Sequence, residues 1–350
     1  MDKPLAMQNV SHLQEMPDFV LRELGWLEKL IGPEWYRLIR GVFTNPLSVT
    51  GLIIVLLFIL TAAFAPILAP PLKSAYDPYL IPRDGYGPEP QPPGTVWKRD
   101  VPELPNWYQA ITGNDQWIHL LGTTSGQFDI YYGIVWGTRT ALFVGVVITG
   151  VTVIIGLIVG SLSAFYGGWL DDLLMRITEI FMAFPFLLAA LTLSAILVPL
   201  FGRGIWPATI ALITFGWMTY ARVLRAEILS AKERDYVLAA RVVGAKDSRL
   251  LVRHIVPNAI YPILVLASMR VGDYVLSFAT LSFLGVGTDI GYADWGQIVS
   301  FARDWILSLD VHWYIIVFPG TILLLFGLGW NLIGDALRDI LDPRLRGSRG

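Results

Sequence analysis

The stretch YARVLRAEILSAKERDYVLAARVVGAKDSRLLVRHIVPNAI, Tyr220–Ile260, carries eight basic residues: Arg222, Arg225, Lys232, Arg234, Arg241, Lys246, Arg249 and Arg253. Apolar runs flank it. The chain between Arg203 and Arg222 is uncharged, and Ile260–Leu284 holds only Arg270 and Asp273. Lys and Arg are retained on the cytoplasmic side of membrane proteins, so this stretch reads as a cytoplasmic loop between two spans. That reading places the chain among all-α membrane proteins.

Composition agrees. Of 350 residues, 54% are hydrophobic and only 15% charged, with a mean hydropathy of +0.56. Soluble domains average roughly 25% charged residues. The shortfall excludes a disordered chain and argues against an ordinary cytosolic enzyme. Cysteine is absent, so no disulfide or thiolate chemistry is available. The formal net charge of −2 gives no electrostatic reason to expect nucleic acid as a partner.

A transmembrane helix needs about 20 predominantly apolar residues. Uncharged runs lie between Arg40 and Lys73 (with Gly51–Ala69 as its apolar centre), Arg139 and Asp171, Glu179 and Arg203, Arg203 and Arg222, and Asp310 and Asp335. Ile260–Leu284 completes a set of six expected spans. The connection between spans five and six sets Arg303 against Asp289, Asp294, Asp304 and Asp310, whereas the C-terminal tail adds Arg344, Arg346 and Arg349. Both termini are therefore expected inside and the acidic connection outside.

The expected organisation is a cytoplasmic arm at 1–46, a first span at 47–69, an outer loop at 70–135, a core of five helices at 136–335 with a cytoplasmic loop at 221–258, and a cytoplasmic tail at 336–350. The arm lacks the basic-then-apolar pattern of a cleavable signal peptide. Within it, Gly32–Phe43 reads either as an amphipathic helix on the inner membrane surface or as a solvated segment. The outer loop takes eleven prolines between Pro66 and Pro105, half of the 22 in the chain. Proline removes backbone donors and fixes φ, which predicts an extended loop rather than a folded module. Its aromatics (Tyr76, Tyr79, Tyr86, Trp97, Trp107, Tyr108 and Trp117) suit anchoring to the interface or to a partner.

Catalytic signatures are missing. The sequence has no P-loop, no H-E-x-x-H and no G-x-S-x-G, and its four histidines are scattered (His12, His119, His254 and His312). A transporter, channel or membrane scaffold is the expectation, and catalysis by this chain alone is not.

Inside the basic loop the spacing predicts a short helix at Asp235–Val243, then Gly244, then a second helical piece ending at Pro257. Tyr236, Ala239, Ala240 and Val243 fall at i, i+3, i+4 and i+7, one face of a helix. The paired alanines leave a smooth surface for close approach by another protein. Gly244 suits the position just past a helix end, where the chain turns with φ > 0. Arg241 and Lys246 flank the patch and can pair with carboxylates on a partner.

This loop resembles the EAA-motif loop of ABC importer permeases, whose short helix docks in a groove of the ATP-binding subunit. Ala239, Ala240, Gly244, Ile255, Val256 and Pro257 match that pattern, while Leu238 stands at its Glu position. Other segments follow in order: HLLGT (His119–Thr123), GTRTALFVG (Gly137–Gly145), Arg176–Leu193 with Pro185 as a kink point, TLSFLGVG (Thr280–Gly287), DWGQIVSFARDW (Asp294–Trp305), FPG (Phe318–Gly320) and Trp330–Gly347. Together they resemble the C-type permease subunit of dipeptide and oligopeptide ABC importers. Departures lie on the outer side, where Thr124, Gln127 and Phe128 replace the family's Asp, Gly and Arg.

The resemblance implies a six-helix type I importer permease in the inner membrane of a prokaryote. It further implies a heterodimer with a related permease, two ATP-binding subunits and an extracytoplasmic substrate-binding protein. ATP and Mg would be bound by those partner subunits, with no cofactor on this chain. Tyr236, Ala239, Ala240, Arg241, Gly244 and Pro257 would couple to the ATPase subunits. Arg270 and Asp273, three apart on one helix face, sit at bilayer depth, where charge normally faces the bundle interior or water. They are expected either to line the translocation pathway or to form a structural pair. Oligosaccharides or nickel complexes are alternative cargos. An ion-coupled secondary transporter would instead work without ATP and without partners, and a membrane-embedded hydrolase would need a nucleophile–base pair that the sequence does not display.

Overall fold

In hydrocarbon every backbone polar group needs a partner within the protein, and the first span shows how this chain provides them. Helix α1 (Pro46–Leu68) opens on an Asn45 cap whose side chain accepts from Leu47 N at 3.0 Å. Its C-terminal end leaves carbonyls that no helical turn can satisfy. Three side chains take them: Trp107 Nε1 donates to Ile67 O (2.9 Å), Tyr131 Oη to Leu68 O (3.0 Å) and Trp136 Nε1 to Ala69 O (2.9 Å).

The computed structural model describes residue 43 and residues 45–341, apart from 73–75, 100 and 114. The expected surface helix at Gly32–Phe43 falls almost wholly outside these residues, and the basic tail at Arg344, Arg346 and Arg349 lies entirely outside them. The regular secondary structure of the described residues is helical, with four isolated β-bridges and no longer strand pairing among them. After α1 come α2 (Asn106–Thr112), α3 (Ile130–Tyr166), α4 (Gly168–Met182), α5 (Phe186–Phe201), α6 (Ile205–Thr214), α7 (Met218–Lys232) and α8 (Asp235–Val242). Then follow α9 (Tyr261–Phe283), α10 (Trp295–Ser300) and α11 (Tyr314–Leu341).

Four of these, α1, α3, α9 and α11, are long and apolar enough to cross a membrane. A fifth crossing exists if α4 and α5, bent by 86°, form one broken span. The bend falls at Pro185, which has no N–H to donate to a helical carbonyl and pushes the preceding residue out of helical conformation. The run expected as a fourth span is also divided, into α6 and α7. Tyr274 Oη donates to Gly216 O at the break, at 3.0 Å. Helix α3 starts nine residues before Arg139 and continues to Tyr166, so the second helix is longer at its N-terminal end than its uncharged run.

Helix α3 is the axis of the bundle. It packs against α1, α7 and α9, while α11 packs against α1 and α9. Contact with α7 is close because of Gly156 and Gly160: a Cβ at Gly156 would lie 2.4 Å from Tyr220 Cβ, and one at Gly160 would lie 2.6 Å from Ala221 O. Glycines four apart let two helix backbones approach in this way.

The proline-rich segment departs most from expectation. It is folded rather than extended. Tyr108, Trp117 and Trp97 are buried, and Tyr108 meets Trp117 edge-on at 4.3 Å. Single bridges join Val96 to Ile118, Arg83 to Phe128, Thr123 to Asp129 and Leu80 to Tyr292. Its centre is His119, fully buried between two carboxylates. Nδ1 lies 2.6 Å from Asp129 Oδ2, and Nε2 lies 3.4 Å from Asp84 Oδ2. Asp129 also caps α3 by accepting from Tyr132 N at 2.8 Å. Proline deprives a segment of ladder hydrogen bonds, but aromatic burial and these side-chain bonds replace them. The segment forms a cap over the α1–α3 end of the bundle.

A third buried acid, Asp294, caps α10 by accepting from Gly296 N at 3.0 Å and also takes Thr288 Oγ1 at 3.2 Å. Burial pushes its carboxyl up to about 6, against an ordinary 3.8, despite those hydrogen bonds. An acid whose folded-state pKa is raised binds its proton more tightly when folded. Its protonated form thus favours folding at low pH, and that contribution is lost as pH rises from about 4 through about 6. Thermal unfolding in detergent micelles should show this decline in the parent chain, and Asp294→Asn should flatten it. An equal decline in both would show that other groups carry it.

Candidate functional site

Helix α8 is eight residues long and begins at Asp235, whose acid side chain suits the positive end of a helix. It ends in a Schellman arrangement: Gly244 N donates to Arg241 O at 3.0 Å and Ala245 N donates to Ala240 O at 3.1 Å. Gly244 has φ +85° with open space around it. Backbone conformation rather than crowding is therefore what requires glycine there. After it, a short turn at Asp247–Arg249 leads into a π-helical segment, Leu250–Ile255, and then into Val256–Ala259. The helical path does not end at Pro257, which sits in the first turn of that last piece and is exposed. A proline is tolerated in a first turn because that N–H has no helical acceptor.

One side of α8 faces the protein. Val237 is fully buried, alongside Leu250 and Ile255, and Ala240 is half-buried against the same cluster. The other side is open. Tyr236, Leu238, Ala239 and Arg241 are exposed, and Val242 and Val243 are each 87% exposed. Of the four residues placed on one face by their spacing, Tyr236, Ala239 and Val243 point outward and Ala240 turns partly inward. Leu238 and Val242, four apart, widen the apolar surface. This is an exposed apolar helix held on a rigid base.

That base depends on two residues of the basic loop. Arg225 makes a two-pronged pair with Asp171 of α4, Nε to Oδ1 at 2.7 Å and Nη2 to Oδ2 at 2.6 Å. Ser163 of α3 donates to the same carboxylate. Lys232 donates to the carbonyls of Ala164 and Phe165, each at 3.0 Å, at the C-terminal end of α3. A cation there meets both the unsatisfied carbonyls and the negative end of the helix dipole. These two charges therefore tie α7, and through it α8, to α3 and α4.

Arg270 and Asp273 lie in mid-α9 and pair with each other, Nη1 to Oδ2 at 3.7 Å. The buried side of α9 carries Val271, Gly272, Tyr274, Val275 and Phe278. The ion pair lies on the other side, with its side chains 38% and 51% exposed. This chain's own helices leave the pair uncovered. Among the described residues no cluster of His, Asp and Glu is arranged to hold a metal.

A bundle of long apolar helices, with an open and buttressed helix at the end where basic residues gather, defines the permease class of membrane transport subunits. Comparison with known proteins gives the family. The binding-protein-dependent transport system inner membrane component family matches residues 152–347, and the N-terminal TM domain of oligopeptide transport permease C matches residues 34–93. The dipeptide transport system permease protein DppC of Alkalihalophilus pseudofirmus is 33% identical over 312 residues, 89% of this chain and 90% of that protein. The oligopeptide transport system permease protein OppC of Bacillus subtilis is 35% identical over 303 residues, 87% of each. The glutathione transport system permease protein GsiD of an Escherichia coli strain is 32% identical over 313 residues, 89% of this chain and 91% of that one. The chain belongs to the binding-protein-dependent transport system inner membrane components. It has the ABC importer permease fold and is a multi-pass inner-membrane, non-catalytic transport subunit.

Removing the Arg225 fork tests the base. Hydrogen bonds to charged groups contribute roughly 1.5–3 kcal/mol, discounted here because the Arg225 side chain is 33% exposed. Arg225→Ala should therefore lower stability by about 1–2 kcal/mol, read as a lower Tm in detergent. Arg225→Lys should recover only part, since an ammonium cannot make the two-pronged pair. An unchanged Tm in both variants would contradict the assignment.

Proposed function

We propose that this chain is the C-type transmembrane subunit of a peptide importer, one of two related permeases enclosing a translocation pathway. The observation that carries the proposal is α8: an apolar surface open to solvent, held by Val237 on one side and bounded by the Gly244 turn. An exposed patch of this kind on a buttressed helix marks a docking site. Its occupant is an ATP-binding subunit, contacted through Tyr236, Ala239, Arg241 and the turn at Gly244. Ala240 sets the spacing to the bundle, and Pro257 stands at the exposed exit of the loop. Two such subunits bind ATP and Mg, and this chain carries no cofactor.

The reading keeps six spans, with α4–α5 as a broken third and α6 with the first turns of α7 as a short fourth. Both termini are cytoplasmic, which places the cap at residues 70–129 and the 285–313 connection outside. Residues 1–46 form the inner arm, 136–335 the helical core with its 221–258 loop, and 336–350 the tail. Peptide cargo is supported by the relatives named above, which are transport permeases for dipeptides, oligopeptides and glutathione. A substrate-binding protein delivers cargo at the outer face. Arg270 and Asp273 line the pathway, where their exposure leaves them free to meet charged termini of a peptide.

Uptake into proteoliposomes, measured with and without the ATP-binding subunits, tests the reading. Uptake should require both those subunits and ATP. Gly244→Val should abolish it while leaving membrane insertion intact, because a β-branched residue at φ +85° is strained. ATP-independent uptake by the chain alone would overturn the proposal.

A further inference from the structure

The cap carries an open polar cleft of about 390 Å³, large enough for a few amino-acid residues. Tyr86, Gln91, Lys98, Arg99 and Gln127 line it, with Asp84 on its floor. The floor acid already has partners. Asp84 Oδ1 accepts from the backbone N–H groups of Lys98 (3.0 Å) and Arg99 (2.6 Å), and its Oδ2 faces His119 Nε2. Those bonds fix the backbone of residues 98–99 and set both basic side chains at the cleft, exposed. Among the described residues neither cation has a carboxylate within ion-pair distance.

Two amides complete the lining. Gln91 Oε1 is buried without a hydrogen-bond partner among the described residues, a costly state that an added donor would relieve. Gln127 holds the one left-handed backbone among the described non-glycine residues, φ +59°, and its side-chain amide lies against Gly85 and Gly87. Such strain persists where the surrounding structure over-determines it. Tyr86 is 83% exposed beside these groups, and Arg83 lies 5.1 Å from its ring centroid.

Two cations without a carboxylate partner among the described residues, two amides and an aromatic ring match a carboxylate carried on a peptide chain. The geometry points to the cap cleft as a binding site for a peptide carboxylate, held by Lys98 and Arg99 while Gln91 and Gln127 bond the adjoining peptide group. This deepens the import reading and rests on it for the cleft's place on the outer face. The carboxylate has two possible sources, the C terminus of a free peptide or an acidic side chain on a docked protein.

Isothermal titration of the full chain in lipid nanodiscs tests the site with three probes: acetyl-trialanine, its C-terminal amide, and acetyl-Ala-Asp-Ala-amide. At least one carboxylate-bearing probe should bind tenfold or more tightly than the neutral amide, with affinity falling as salt rises. Preference for acetyl-trialanine assigns the site to a free C terminus. Equal or better binding of the Asp peptide assigns it to side-chain carboxylates. Arg99→Gln with Lys98→Gln should abolish the preference, whereas Lys98→Arg should retain it. Equal binding of all three probes, no binding by any, or a preference that survives loss of both cations would overturn the proposal. The assay involves neither ATP nor transport, so its failure leaves the import reading to the uptake experiment.

Discussion

The structure depends on how both ends of α3 are held. At 37 residues and about 1.5 Å per residue, this helix is roughly 55 Å long, well beyond a hydrocarbon core of about 30 Å. A rod of that length reaches past such a core at its ends. At the N-terminal end Asp129 caps it and ties it through His119 to Asp84, within the folded cap. At the C-terminal end Lys232 takes two of its last carbonyls, and Ser163 joins the Asp171–Arg225 pair. One rigid helix thus links the cap to the base of α8.

In the proposed importer this arrangement gives transport a physical form. Force applied at α8 by an ATP-binding subunit would pass through α7 to α3 by two charged contacts and by the glycine-mediated approach at Gly156 and Gly160. Packed interfaces are bistable rather than continuously deformable, so small shifts at such a junction would be converted into discrete rearrangements. On the same proposal, the uncovered side of α9, with Arg270 and Asp273, is the face that would open or close against a second permease.

Much of this was legible in the sequence, because the membrane imposes a simple rule on long apolar segments. Runs free of charge located α1, α3, α5 and α11, the length and apolarity of Ile260–Leu284 located α9, and helical spacing with Gly244 located α8 and its turn. The breaks were harder to see. Pro185 announced a kink but not its size, and Gly216 became a break through a hydrogen bond from Tyr274, 58 residues away. The cap was misread for a related reason. Proline content reports the loss of backbone ladders, yet the cap is held by contacts distant in sequence, such as His119 with Asp84. Arg225 and Lys232 looked like two more members of a basic loop, and nothing in their spacing marked them as the two that lock it to the bundle.

In the proposed importer, α8 lies covered by an ATP-binding subunit. The chain has no cysteine, so Val243→Cys supplies a single thiol at a position 87% exposed in this chain. Its rate of labelling by a membrane-impermeant maleimide, on inside-out vesicles with and without the ATP-binding subunits, measures that cover directly. The account predicts fast labelling of the chain alone and strong protection in the assembly. Equal labelling in both would contradict it.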